Sequence, residues 1–132
     1  MNQNDSARQS NRVLNPAVLA VNFDSEIAAL KSESAWQTGG RNAKTLFKEP
    51  ADLRIVLMVL KSGAGLVEHS APGPLTLQVM EGRVRVGIGG DRHEFKKGSM
   101  VVLEAKRTHD LEALDDSALL LTIAWPVDDS RV

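Results

Sequence analysis

The chain has 132 residues and a formal net charge of -1 at pH 7, so its length suits one domain and it lacks the basic field that attracts nucleic acid or anionic lipid. It contains no cysteine, which excludes disulfides, thiolate nucleophiles and cysteine-based zinc sites. The first twelve residues are polar, and no segment reaches the ~20 apolar residues of a membrane helix. We therefore expect a cytoplasmic protein with no nucleic-acid and no membrane partner.

The stretch FDSEIAALKSESAW, near the N-terminus, predicts the one helix of the chain. Asp24 or Ser25 can cap its first turn through a side-chain oxygen. Ile27 and Leu30 lie three residues apart and should share one apolar face.

From about Ala43 onward the sequence consists of short apolar or alternating segments separated by turn residues. LRIVLMVLK is apolar apart from one internal arginine, which is typical of a strand buried on both faces. LTLQVM alternates, so Leu75, Leu77 and Val79 should share one buried face, and RVRVGI alternates in the same way. Gly-Gly-Asp at 89–91 favours a hairpin turn, and HEF, SMVVLEA, THDLEAL and ALLLTIAW continue the series. Many short strands without alternating helices predict an antiparallel sandwich or barrel of the jelly-roll kind.

These segments divide the chain into a disordered tail (1–12), an N-terminal arm with a short helix (13–43) and a β-barrel (44–127). The tail should be disordered because its polar side chains bury too little surface to offset the entropy cost of ordering. Two segments are too apolar for strands with one solvent-exposed face, RIVLMVL and ALLLTIAW. Their outer faces therefore need cover from the N-terminal segment or from a second subunit. We expect a homodimer closed by a two-fold axis.

The stretch GLVEHSAPGPLTLQVMEG and the residues just before it resemble the first sequence motif of the cupin superfamily. That motif has a glycine, five residues, His-x-His, a glutamate three or four residues later, and a closing glycine after six more. Gly63, His69 and Gly82 match the motif. Ala71 takes the position of the second histidine, and Leu75 takes that of the glutamate.

The second cupin motif resembles the segment that begins at Gly98. It has a glycine, five residues, Pro-x-Gly, two residues, a histidine, three residues and an asparagine. Gly98 and His109 match, while Glu104, Lys106 and Ala113 replace the proline, the second glycine and the asparagine.

The resemblance covers about residues 44–126 and implies an all-β fold, the double-stranded β-helix or jelly-roll (cupin) barrel, with a short N-terminal helix. The chain is similar to small, single-domain, RmlC-like bacterial cupins of uncharacterised function. Cupin metal sites use three histidines and a carboxylate, of which the resemblance leaves His69 and His109. A tight metal needs about three protein ligands, so we expect no tightly bound cofactor. The alternative is a weakly held divalent ion (Zn, Ni, Fe or Mn) on these two histidines.

Adjacent side chains on a strand face opposite ways, which constrains the surroundings of the two histidines. If His69 points inward, Glu68 and Ser70 should face outward. If His109 points inward, Leu111 should follow it, and the acidic residues beside it should face outward. The predicted ligand pocket combines two imidazoles with three apolar side chains: His69, Leu75, Leu77, His109 and Leu111.

The favoured hypothesis is a small barrel protein that binds a small-molecule ligand without a tight metal. The alternative is a metal-dependent or histidine-mediated enzyme, of isomerase, dioxygenase or lyase type, acting on a small polar metabolite. His69 and His109 are its catalytic candidates, because imidazole titrates near neutral pH. The sequence alone leaves open whether the chain is an enzyme.

Three other residues have a simpler structural interpretation. We interpret His93 as a solvated turn residue and Trp36 as a contact between the N-terminal segment and the sheets. Trp125 should pack at the end of the last strand, where its N–H needs a partner.

Overall fold

The computed structural model describes residues 13–15, 18–48 and 52–125, and side chains from residue 18 onward. The two helices in these ranges are α1 (Phe23–Lys31) and α2 (Ser34–Gln37). The strands are β1 (Val13–Asn15), β2 (Val18–Leu19), β3 (Arg41–Phe47), β4 (Leu53–Leu60), β5 (Gly65–His69), β6 (Leu75–Glu81), β7 (Arg83–Ile88), β8 (Asp91–Lys96), β9 (Met100–Leu103), β10 (His109–Ala113) and β11 (Ser117–Ala124). The predicted tail, 1–12, and residues 126–127 of the predicted barrel lie outside the described residues.

Two antiparallel sheets form the body of the fold. One has four strands in the order β5-β10-β7-β8, and the other has five in the order β3-β4-β11-β6-β9. Strands β1 and β2 pair with each other as a separate hairpin. Apart from the hairpins β3–β4 and β7–β8, neighbours in each sheet are not consecutive in sequence, as in a jelly roll, where the chain crosses repeatedly between sheets. The predicted all-β, double-stranded β-helix fold with a short N-terminal helix is therefore confirmed.

An inner apolar cluster fills the space between the two sheets. The predicted face of β6 is confirmed, because Leu75, Leu77 and Val79 are 3%, 1% and 2% exposed and all lie in this cluster. Val84 and Val86 of β7 meet them from the opposite sheet and are fully buried. A period of two in the sequence thus becomes one continuous core between the sheets.

A second, outer apolar cluster covers the far face of the five-stranded sheet. Leu57 and Val59 of β4 are fully buried there, against Ile27 and Leu30 of α1. The next residue, Leu60, faces the inner cluster. Strand β4 is therefore buried on both faces, as predicted, and the cover on its outer face comes from the N-terminal segment.

The predicted N-cap and length of the helix are wrong. Asn22 is the N-cap, and its side-chain oxygen accepts a hydrogen bond from the backbone N–H of Ser25 at 3.0 Å, because Asp24 and Ser25 already lie in the first turn. The helix ends at Lys31, where the Ser32 hydroxyl donates to the carbonyl oxygen of Ala29 at 2.6 Å. Such a local bond competes with helix continuation, and a separate short helix, α2, places Trp36 in the outer cluster. Among the described helices, none has the length and apolar character needed to span a bilayer.

Three connections lie at one end of the barrel, which we call the mouth: residues 70–74, 89–90 and 104–108. They share this end because His109, at the start of β10, pairs with His69 at the end of β5 and with Ile88 at the end of β7. In the other sheet, Leu75 pairs with Leu103 and Ile123, so these residues lie at the same end.

The closing glycine of the first motif has a steric role at the other end of the barrel. Gly82 has a φ of +82° and connects β6 to β7. A Cβ atom there would collide with the carbonyl oxygen of Asp116 and stand 2.8 Å from Cα of Ser117. Glycine is required both by the left-handed backbone and by this close approach.

Truncation of Leu30 to alanine should test the outer cluster. Leu30 is buried under the five-stranded sheet, so Leu30→Ala should lower the free energy of unfolding by about 2–5 kcal/mol. The matched control is Val67→Ala, since Val67 is 86% exposed and its loss should change stability by about 0.5 kcal/mol or less. Equal losses in urea unfolding would contradict the assignment of α1 as a structural cover.

Alanine at Gly82 should separate steric collision from backbone strain. Gly82→Ala should destabilise the fold by more than about 3 kcal/mol, because left-handed strain and overpacking add. Gly90 also has a positive φ, +91°, but its added Cβ would meet nothing within 4 Å, so Gly90→Ala should cost only about 1–2 kcal/mol. Similar midpoints in thermal unfolding of the two variants would show that the contact with residues 116–117 is not limiting.

Candidate functional site

A β-bulge in β5 turns His69 into the barrel. His109 pairs with His69 and Leu111 pairs with Leu66, so two steps along β10 match three steps along β5. The extra residue lets Val67, which is 86% exposed, and Glu68 both face outward. Leu66 and His69 can then both face inward although they are three residues apart. The predicted outward direction of Glu68 is confirmed.

Strand β10 brings His109 into the same interior. His109 is 2% exposed, and Leu111 and Ala113 follow it into the inner cluster. Glu112 lies on the exposed face, where its carboxylate pairs with Arg85. The alternation expected for this strand is therefore confirmed, and it leaves His109 among apolar neighbours.

The two histidines are direct cross-strand neighbours in edge-to-face contact, with ring centroids 4.2 Å apart and ring planes at 62°. In each ring, Nδ1 lies close to the carbonyl oxygen two residues earlier: Val67 at 2.8 Å for His69, and Arg107 at 3.0 Å for His109. A carbonyl oxygen can only accept, so each Nδ1 carries the proton and donates. In a neutral ring with this tautomer, Nε2 has a free lone pair, which makes it an acceptor or a metal ligand.

Nε2 of His109 is a buried acceptor that has no hydrogen-bond partner among the described residues. Burial lowers the pKa of His109 and is the largest effect. The hydrogen bond to the Arg107 carbonyl raises the pKa in part, while His69 lowers it and Asp110 raises it to smaller extents. His109 is therefore a neutral imidazole at pH 7. A buried polar atom left unpaired costs about 1–3 kcal/mol, so this nitrogen needs a partner.

The motif positions that could have completed a metal site are apolar. Leu75 is buried in the inner cluster, and Ala71 packs against it. Within residues 18–48 and 52–125, no three His, Cys, Asp or Glu side chains are grouped so that they could hold an ion. A tight site needs about three protein ligands, so the pair of His69 and His109 does not fit the metal centre that the cupin motifs imply.

The remaining residues of the predicted ligand pocket lie in the packed interior. Leu77 and Leu111 are buried beside Leu75 in the inner cluster. The pocket assignment as a whole stays a prediction.

A cleft of about 470 Å³ lies on the outer side of the four-stranded sheet near the mouth, with His109 and the outward-facing Glu68 among its lining residues. Its walls include the β7–β8 turn and the 104–108 loop. They carry both signs of charge, since Arg92, Lys106, Glu68 and Asp110 all line the cleft. Lys106, which stands at the second glycine of the second motif, has a φ of +62°. Its backbone N–H donates to the carbonyl oxygen of Ala71 at 2.8 Å, which joins two of the loops at the mouth.

Arg54 is a candidate that the sequence analysis missed. Val56 and Met58 of β4 pack on the inner cluster, so Arg54, two residues earlier, lies on the inner face by alternation. It pairs in register with Ile123, which in turn pairs with Leu75, so Arg54 is at the mouth. The available signal was the single arginine that interrupts LRIVLMVLK.

Trp125 stacks on this arginine, with the guanidinium carbon 3.5 Å from the ring centroid. Nε of Arg54 is buried and has no hydrogen-bond partner among the described residues. Trp125 thus contacts a charged group at the mouth, beyond the packing role expected from sequence. His93 is exposed and Trp36 is buried in the outer cluster, as interpreted.

No protein-family model matches this sequence, and no curated protein matches it. Solved structures do match this chain. A cupin-2 conserved barrel domain protein from Leptotrichia buccalis is 29% identical, with a TM-score of 0.62 over 67% of this chain and 42% of its own. A cupin-2 domain-containing protein from Shewanella frigidimarina is 16% identical, with a TM-score of 0.63 over 79% of this chain and 93% of its own.

A salicylate 1,2-dioxygenase from Pseudoaminobacter salicylatoxidans, solved as adducts with gentisate, is 20% identical, with a TM-score of 0.72. It matches 86% of this chain, which spans only 35% of the dioxygenase. At this identity the likeness is one of fold. Together with the jelly-roll topology and the matched motif positions, these similarities show that the chain belongs to the cupin superfamily.

Proposed function

We propose that the chain is a barrel protein that binds a small polar molecule at its mouth, without a tightly held metal, and that its two histidines recognise the ligand. The observation that carries the proposal is the buried Nε2 atom of His109, which lacks a hydrogen-bond partner among the described residues. Its ring is held in place from the other side by the bond to the Arg107 carbonyl. A fixed, unpaired acceptor in an apolar interior is suited to a ligand that donates a hydrogen bond.

The apolar surroundings favour such a ligand over an ion. Ala71 and Leu75 give no lone pair at the motif positions where a metal would take ligands. A hydrogen bond in low-dielectric surroundings is stronger than in water. A ligand with a hydroxyl or N–H group therefore gains a strong bond, whereas a divalent cation gains only two nitrogens.

A second candidate function is histidine-mediated catalysis of proton transfer, which the 4.2 Å contact of the two rings favours. His109 is neutral because burial lowers its pKa, so it can accept a proton from a bound substrate at pH 7. Partly buried His69, in contact with it, can take part in the same transfer. Both candidate functions use the same ligand geometry and differ only in whether the ligand is changed.

We further propose that the protein is a homodimer. The outer face of β4 is covered by α1, so that face no longer requires a second subunit. The support comes instead from the edge strand β9, where Met100 and Val102 are 56% and 65% exposed. Exposed apolar side chains on a strand edge favour association with another copy.

The lowered pKa of His109 should make stability depend on pH. Below its ordinary pKa of 6.5, the unfolded chain binds a proton at His109 that the folded chain does not. Stability is therefore fully present above about pH 6.5 and is lost as the pH falls toward the folded pKa. In His109→Leu, urea unfolding between pH 7.5 and 5 should show a smaller loss than in the wild type, and an identical loss in both proteins would contradict the neutral, buried state.

Thermal unfolding should separate ligand binding from metal binding. We expect Mn, Fe, Ni and Zn salts to leave the melting temperature unchanged within about 1 °C, while a polar ligand with a hydrogen-bond donor at about 100 times its Kd raises it by several degrees. The ligand effect should vanish in His109→Leu and persist in the control His93→Leu, which changes an exposed histidine. A shift of several degrees with one ion, abolished in His69→Ala, would overturn the proposal in favour of a metal site.

A further inference from the structure

We propose that the ligand of the mouth is a small hydroxy-carboxylate, whose carboxylate is bound by Arg54 and whose hydroxyl donates a hydrogen bond to Nε2 of His109. This inference rests on the proposed function and names its ligand class. It starts from the two polar atoms that are buried and unpaired among the described side chains, Nε of Arg54 and Nε2 of His109.

The two atoms belong to opposite sheets but to the same end of the barrel. Arg54 is the second residue of β4, on the inner face of the five-stranded sheet, in one transverse row with Ile123 and Leu75. His109 opens β10 on the inner face of the four-stranded sheet. The loop 70–74 connects His69, the cross-strand partner of His109, directly to Leu75, so both rows flank the mouth.

Arg54 needs an acceptor, and its charge favours an anion. None of the six ion pairs among residues 18–48 and 52–125 involves Arg54. Its guanidinium instead lies against the indole of Trp125, which orients the planar group without neutralising it. A carboxylate matches the fork of N–H donors on a guanidinium and accepts two parallel hydrogen bonds from it.

His109 needs the opposite chemistry. Its Nδ1 donates to the Arg107 carbonyl, so Nε2 presents a lone pair to the interior. A plain carboxylate would place its own lone pairs against this nitrogen, and a plain alcohol would leave Arg54 without an anion. A molecule that carries both a carboxylate and a hydroxyl satisfies both atoms at once.

Trp125 provides a spectroscopic reporter for this contact. Its ring covers the guanidinium at 3.5 Å, so a carboxylate that binds Arg54 changes the surroundings of the indole. The chain has two tryptophans, and the other one, Trp36, is buried in the outer cluster. In a Trp36→Phe background, fluorescence therefore reports on the mouth.

The experiment compares two sets of three compounds by fluorescence titration of the Trp36→Phe protein: lactate, propionate and 2-propanol, and mandelate, phenylacetate and benzyl alcohol. Each set contains a hydroxy acid, the acid without the hydroxyl, and the alcohol without the carboxylate. We expect saturable binding of at least one hydroxy acid, at least about 10-fold tighter than of both its analogues.

Two variants assign the effect to residues. Arg54→Met, which keeps the length of the side chain, should weaken binding of the hydroxy acid at least about 10-fold. The matched control Arg83→Met, at an exposed arginine that begins β7 at the opposite end of the barrel, should leave it unchanged. Far-ultraviolet circular dichroism verifies that each variant is folded, and Arg54→Lys provides a second, charge-conserving substitution that should bind with intermediate affinity.

The outcomes distinguish this inference from the proposed function. If the alcohols bind in a way that depends on His109, and Arg54→Met binds hydroxy acids as tightly as the parent protein, the carboxylate assignment is overturned and the proposed function stands. If neither set binds, the inference is overturned. If, in addition, no polar ligand with a hydrogen-bond donor raises the melting temperature through His109, the proposed function is overturned as well.

Discussion

The burial of β4 and β11 on both faces is the constraint on which the remaining structure depends. Along β11, Leu119 and Leu121 face the inner cluster while Ala118 and Leu120 face the outer one. Such strands have no solvent-exposed face, so the five-stranded sheet needs a second sheet on one face and a helical cover on the other. The second sheet of the jelly roll and the N-terminal helices each bury one apolar face of the five-stranded sheet and so remove it from water.

This apolar interior also determines the chemistry of the mouth. The two motif positions that would bear metal ligands, Ala71 and Leu75, have joined the core, which leaves His69 and His109 in contact in low-dielectric surroundings. Polar atoms there have few partners to choose from, so an unpaired one has a large effect on what can bind. The barrel interior at the mouth is poorly suited to a cation, but it is well suited to a molecule whose donor and acceptor groups complement those of the protein.

The sequence predicts those parts of the structure that follow a local period. The shared face of Leu75, Leu77 and Val79 and the alternation after His109 could be read from spacing alone. The helix cap could not, because Asn22 competes with other good caps two and three residues later. The bulge at Val67 and Glu68 depends on the register with β10, and the stacking of Arg54 on Trp125 depends on which strands pair. Both require the three-dimensional neighbours of a residue, which single-sequence patterns do not contain.

The left-handed backbone of Lys106 gives the 104–108 loop a property beyond its shape. A side-chain-bearing residue at a φ of +62° stores about 1 kcal/mol of conformational strain, and the bond to the Ala71 carbonyl opposes its release. The neighbouring carbonyl of Arg107 is the acceptor that fixes the proton of His109 on Nδ1. A motion that relaxes this loop would move the acceptor of the Nδ1 proton and so allow His109 to exchange its tautomer. The backbone strain at Lys106 and the position of the proton on His109 are therefore coupled.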